Sequence, residues 1–160
     1  MTIEDQINQL IKEAPQDGKT ASLIEAVAPV LKQVAQSLQH THYFIAQSAE
    51  QQWLTTVLSN RNQPDLEKIV VYAFAEVDTV RTYYPNHADP DLMTVAVPVV
   101  SILFQILALK NVESIVFFEG KSIAQAGMEI QCQKIQDLVR QQLQKYHMQR
   151  RANTLPPDIA

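Results

Sequence analysis

The sequence predicts an α+β fold, a mixed β-sheet of about five strands with N-terminal helices and a long C-terminal helix packed on it. Three observations predict it. Apolar residues recur at helical spacing at both ends of the chain, short aromatic and β-branched runs fill the middle, and polar turns separate those runs. With 160 residues, 46% of them hydrophobic and 19% charged, the chain is long enough and apolar enough for one core. A single globular domain is expected over residues 1–151, followed by a flexible C-terminal tail, 152–160, which holds Pro156-Pro157 and little to pack.

Thr2 opens a first helix whose apolar positions Ile3, Ile7, Leu10 and Ile11 share one face, and Pro15-Gln16-Asp17-Gly18 ends it. A second helix is expected from Ser22, with Ser22 and Glu25 as a capping box. Leu23, Val27, Val30, Leu31, Val34 and Leu38 form its apolar face, and Pro29 inside it predicts a kink or two abutting helices. Tyr43 to Ile45, Trp53 to Leu58 and Ile69 to Phe74 then read as three antiparallel strands, with a turn at Asn60 to Asp65. Glu76 to Tyr84 reads as a short helix ended by Pro85-Asn86 and the acidic loop His87-Ala88-Asp89-Pro90-Asp91.

Leu92 to Leu109 is an eighteen-residue run without a charge, the length of a membrane span. Thr94, Pro98, Ser101 and Gln105 interrupt it, so the expected reading is a buried strand (Met93 to Val97), a helix entered at Pro98 and a second buried strand (Ile115 to Phe118). Strand, helix and strand in that order predict a right-handed parallel crossover, covered on its outer faces. Gly120 closes the last strand, and Ser122 with Gln125 is positioned to cap a long final helix. Its seam is Met128, Cys132, Ile135, Val139, Leu143 and Tyr146.

Composition narrows function. A net charge of −4 argues against a dedicated nucleic-acid binder. The one cysteine, Cys132, excludes an internal disulfide and two-cysteine metal clamps. No basic leader or apolar export segment opens the chain, which predicts a cytoplasmic location. Between Lys134 and Arg151 five basic residues stand against one acid, while the remainder has eight basic and sixteen acidic residues. That excess either complements a helix C-terminus or forms a docking surface for an acidic partner.

The chemical templates mostly fail. Gly120-Lys121-Ser122 stands between a strand and a helix, but Ile115 occupies the place of the first glycine of a P-loop. Three glycines leave no dinucleotide fingerprint, and there is no Gly-x-Ser-x-Gly elbow. His40 and His42 with His87, Asp89 and Asp91 offer imidazole and carboxylate donors, without the spacing of a dedicated metal motif. Glu76, Asp78 and Arg81 follow a strand end, where α/β folds place ligands, and with His87, Asp89 and Asp91 they make the candidate ligand-binding set. The same acids suit the first turn of a helix. The candidate interaction surface is the back of the last helix: Val139, Leu143, Tyr146, Arg150 and Arg151.

Val71-Tyr72-Ala73-Phe74-Ala75, Glu76 to Tyr84, Met93 to Val97, Pro98 to Leu109 and Glu113 to Phe118 follow one another as strand, short helix, strand, helix and strand. This layout over residues 68 to 118, about a third of the chain, resembles SseB-type domains, where a strand ending in a Phe-plus-small-residue step opens the series. The Asn-Pro step at the end of that family's domain is missing after Phe118. The resemblance rests on pattern and implies no catalytic residues.

Two functions are therefore expected. One is a non-enzymatic protein-interaction or assembly module, self-associating through its C-terminal helix, with a protein partner or its own copy. The other is a small-ligand or metal-binding enzyme or sensor with a site near residues 76–91. Neither reading calls for a cofactor, nucleic acid or membrane span.

Overall fold

Helix α1 (Ile3–Glu13) begins where the sequence places it. The Thr2 hydroxyl accepts from the Asp5 N–H and the Asp5 carboxylate from the Thr2 N–H, both at 3.1 Å, a reciprocal cap. The computed structural model of the protein describes residues 1–60, 63–84, 93–120 and 127–154. Helix α2 (Thr20–Gln36) starts two residues before Ser22, and Ser22 and Glu25 lie exposed within it. Asp17 fixes that start instead, accepting from the Lys19 and Thr20 N–H groups and from the Thr20 hydroxyl. These hydrogen bonds, that of the Thr20 hydroxyl foremost, hold the Asp17 carboxyl down at about 2.

Pro29 does not divide α2, which runs as one element. Both Pro29 and Glu25, whose carbonyl loses its helical donor, face solvent, where water replaces the missing bond. Ile24 rather than Leu23 joins the buried face.

The sheet has six strands among the described residues: β1 (His42–Gln47), β2 (Thr55–Asn60), β3 (Gln63–Phe74), β4 (Met93–Pro98), β5 (Ser114–Phe118) and β6 (Met128–Gln131). Its order is β4-β1-β3-β5-β6, with β2 paired to β3. Among these described strands β3 and β5 run parallel and the other pairings are antiparallel. Trp53 makes an isolated bridge to Gln47 ahead of β2, and β3 reaches back to Gln63, into the expected turn.

Two expectations change. β4 is an edge strand, half-buried at best, because β1 covers one side of it and no described strand covers the other. β4 and β5 run in the same direction, as expected of a crossover, and helix α4 (Val99–Ile106) connects them across the two intervening strands, β1 and β3. The long final helix, α5 (Cys132–Thr154), begins four residues after Met128, because Met128–Gln131 pairs with β5 as β6. Gly127 fits that geometry: a Cβ there would lie 2.6 Å from Val116 Cγ1 and 3.1 Å from the Phe118 ring. The expected cap at Ser122 and Gln125 lies outside the described residues. α5 itself continues to Thr154, three residues into the expected tail.

Side-chain alternation divides the sheet into two faces. Tyr43, Ile45, Val71, Ala73, Ile115, Phe117 and Ile130 point toward α1, α2, α4 and α5 and join their aliphatic residues in one core. Phe44, Ala46, Tyr72, Phe74, Val116 and Phe118 point the other way, against the short helix α3 (Val77–Tyr83) and Tyr84. Among the described residues, no helix is long and apolar enough to cross a membrane.

Candidate functional site

One end of the sheet gathers several chain segments. The registers Phe44↔Phe74 and Phe74↔Phe118 bring the start of β1 beside the ends of β3 and β5. Two hydrogen bonds to the Thr41 carbonyl pin the chain entering β1, one from Gln6 Nε2 at 2.9 Å and one from the Val99 N–H at 2.9 Å. The buried Gln6 also accepts from the Val100 N–H, so one side chain ties α1, β1 and the start of α4 together.

Glu119, directly after β5, turns its carboxylate into this corner. It accepts from the Tyr43 hydroxyl at 2.5 Å, meets His40 Nδ1 at 2.6 Å and accepts from the Gln39 N–H at 3.4 Å. Its side chain is 16% exposed, against 41% for His40. Tyr43 is fully buried, with its ring edge-on to Phe117 at 4.9 Å. Burial first, and then the bond to Glu119, raise the Tyr43 hydroxyl well above the ordinary tyrosine range, so it stays a donor. A carboxylate at Nδ1 makes that nitrogen the N–H and leaves Nε2 as the basic one. The arrangement can therefore orient an imidazole to accept a proton or a ligand's hydrogen bond.

This triad was not anticipated from sequence. Glu119 lies in sequence just before Gly120-Lys121-Ser122, and no local motif marks it. The one usable signal is an acid placed immediately after an uninterrupted apolar run, Ile115 to Phe118.

The anticipated ligand residues are arranged otherwise. Glu76 is half-buried at the head of α3 and makes no capping bond. Asp78 and Arg81 pair with each other at 3.6 Å, 84% and 70% exposed. That spacing is a surface ion pair one helical turn apart, not a convergent site. His87, Asp89 and Asp91 lie outside the described residues, as do Lys121 and Ser122. His42 Nδ1 meets the Thr41 hydroxyl at 3.1 Å, away from the Glu119 triad. Among the described residues no group of three or more His, Cys, Asp or Glu could hold a metal ion. Cys132 is buried, and burial raises its thiol pKa, the opposite of what a nucleophile needs.

The anticipated interaction surface divides along α5. Val139 is buried in the core and cannot contact a partner. Leu143 and Tyr146 are half-buried and, with Leu23, Ala26, Lys19 and His147, line a groove of about 460 Å³ between the start of α2 and the back of α5. One residue beyond His147, Met148 is 71% exposed. Arg150 and Arg151 belong to the last turns of α5. The chain matches no protein-family model and no curated protein sequence.

Proposed function

We propose that this chain is a non-enzymatic protein-interaction and assembly module of the cytoplasm, self-associating through the back half of α5. The groove between α2 and α5 carries the proposal. Leu23, Leu143 and Tyr146 line it above the buried Ala26, and the exposed Met148 lies one residue beyond it on the same helix. Apolar surface arranged in this way marks association sites. The charge distribution supports the same reading, because the basic segment Lys134 to Arg151 of one copy is complementary to the acidic remainder of another. Sedimentation of the Leu143→Lys/Met148→Lys variant tests it. The expected result is a drop in assembly mass by at least half with an unchanged circular-dichroism melt. An unaltered mass at equal concentration refutes the proposal.

A second reading, a small-ligand site at the sheet end, is favoured by the Glu119–His40 pair and by Glu76 at the same end. Native mass spectrometry of protein isolated gently from its host tests it. A low-mass adduct lost on His40→Ala supports a ligand there, and a bare chain in both forms removes that reading.

A further inference from the structure

Of the sheet's outer strands, β4 is the longest regular one. It pairs with β1 through six consecutive residues, His42↔Pro98 to Gln47↔Met93, without a register shift. Its sequence, Met-Thr-Val-Ala-Val-Pro, has no charge. The other outer strands are shorter or interrupted in register. β6 is four residues long and carries Glu129, which is ion-paired to Lys68. β2 pairs regularly with β3 only from Thr55 to Ser59 and shifts register before Asn60. Chains that stay monomeric protect their edges with charges, bulges or prolines. β4 has only Pro98, at its far end, and its outer backbone groups have no strand partner among the described residues.

The register with β1 fixes which way its side chains face. Met93, Val95 and Val97 stand opposite Gln47, Ile45 and Tyr43, on the helix-covered face. Val95 and Val97 are half-buried and Met93 is 56% exposed, so this apolar row is incompletely covered. We infer that β4 is a self-complementary edge that pairs antiparallel with β4 of a second copy, about a two-fold axis at Val95. That axis sets Val95 opposite its own copy and Met93 opposite Val97, apolar against apolar, while Thr94 meets Ala96 on the other face. No like charges meet, because none are present. A two-fold axis normal to the sheet keeps the helices of both copies on one side, giving a closed, isologous contact. The contact lies apart from the α5 groove and stands independently of it.

The exposed pair Thr94 and Ala96 makes the test, since charges there leave the core undisturbed. Thr94→Lys/Ala96→Lys sets lysines directly against lysines at the proposed contact, and Thr94→Glu/Ala96→Glu sets acids against acids. The expected results are a halving of assembly mass for either variant alone and one-to-one lysine–glutamate heterodimers by native mass spectrometry on mixing. Val95→Cys should oxidise to a covalent dimer, because directly opposed strand residues lie within disulfide range, about 5.5 Å between Cα atoms. Cys132 is buried and does not compete. An unchanged mass in the lysine variant, or failure of the two variants to pair on mixing, overturns the proposal. Neither result depends on Leu143 or Met148, so loss of the α5 contact leaves this test intact.

Discussion

The two faces of the sheet are built from different materials. Four helices cover the first, and Tyr43 and Phe117 are the aromatic rings enclosed in its aliphatic core. Among the described residues the second has α3 alone, seven residues long, and is filled by Phe44, Tyr72, Phe74, Tyr83, Tyr84 and Phe118. Phe74 and Phe118 stack at 5.3 Å, and Tyr72 meets Tyr83 edge-on at 5.0 Å. The difference shows how a thin layer can still close a face. A few large rings in edge and stacked contact supply the area that helices supply opposite.

The largest test of this comparison sets Phe117→Ala against Phe44→Ala. Phe117 is fully buried between helices and sheet, and truncation should cost about 3–5 kcal/mol by urea unfolding. Phe44 is half-buried, and its loss should cost about 1–2 kcal/mol. Equal costs would mean the two faces are not differently covered. Gly127→Ala comes next. The new methyl meets Val116 and Phe118, and the forced shift should cost about 1–3 kcal/mol, read as a lowered melting temperature.

Tyrosine ionisation sharpens the comparison, because burial raises Tyr43 on the helical face and Tyr72 and Tyr84 on the aromatic one. Their folded pKa values lie above the unfolded value of about 10, so the folded state keeps a proton that the unfolded state has lost. The associated stability is complete below that pH and declines as pH rises through it. Urea midpoints between about pH 9 and pH 11 should therefore fall, and less steeply in Tyr43→Phe and Tyr72→Phe. A wild-type midpoint that does not move would remove the effect. The smallest change is expected at the solvent side of α3. Asp78→Ala removes an exposed ion pair and should shift stability by no more than about 0.5 kcal/mol.

Much of this architecture could be read from local pattern. Thr2 capping α1, the apolar faces of α1 and α2, and the β4–α4–β5 succession depend on residues within one or two turns of each other. β6 was hidden because Met128 and Cys132 are four apart, so the seam of α5 continues in step through a four-residue strand. The start of α2 was misassigned because Ser22 and Glu25 fit a capping pattern that Asp17 already supplies from outside the helix. The His40–Tyr43–Glu119 triad was illegible for another reason. Its members are up to 79 residues apart, and only the order β1-β3-β5 brings them together.

The parallel pairing of β3 with β5 has a consequence in time. The β2–β3 hairpin is local and can close in about 1–10 μs. Val70 and Ser114, joined in register at the sheet centre, are 44 residues apart in the chain. At a ribosome adding about 5–20 residues per second, β3 emerges roughly 2–9 s before its central neighbour. Throughout that interval Val71 and Ala73 have no β5 beside them, and the nascent sheet has a temporary edge in its middle. Closure of the sheet centre thus waits on the arrival of β5, and a chaperone acting before that moment shields the open flank of β3.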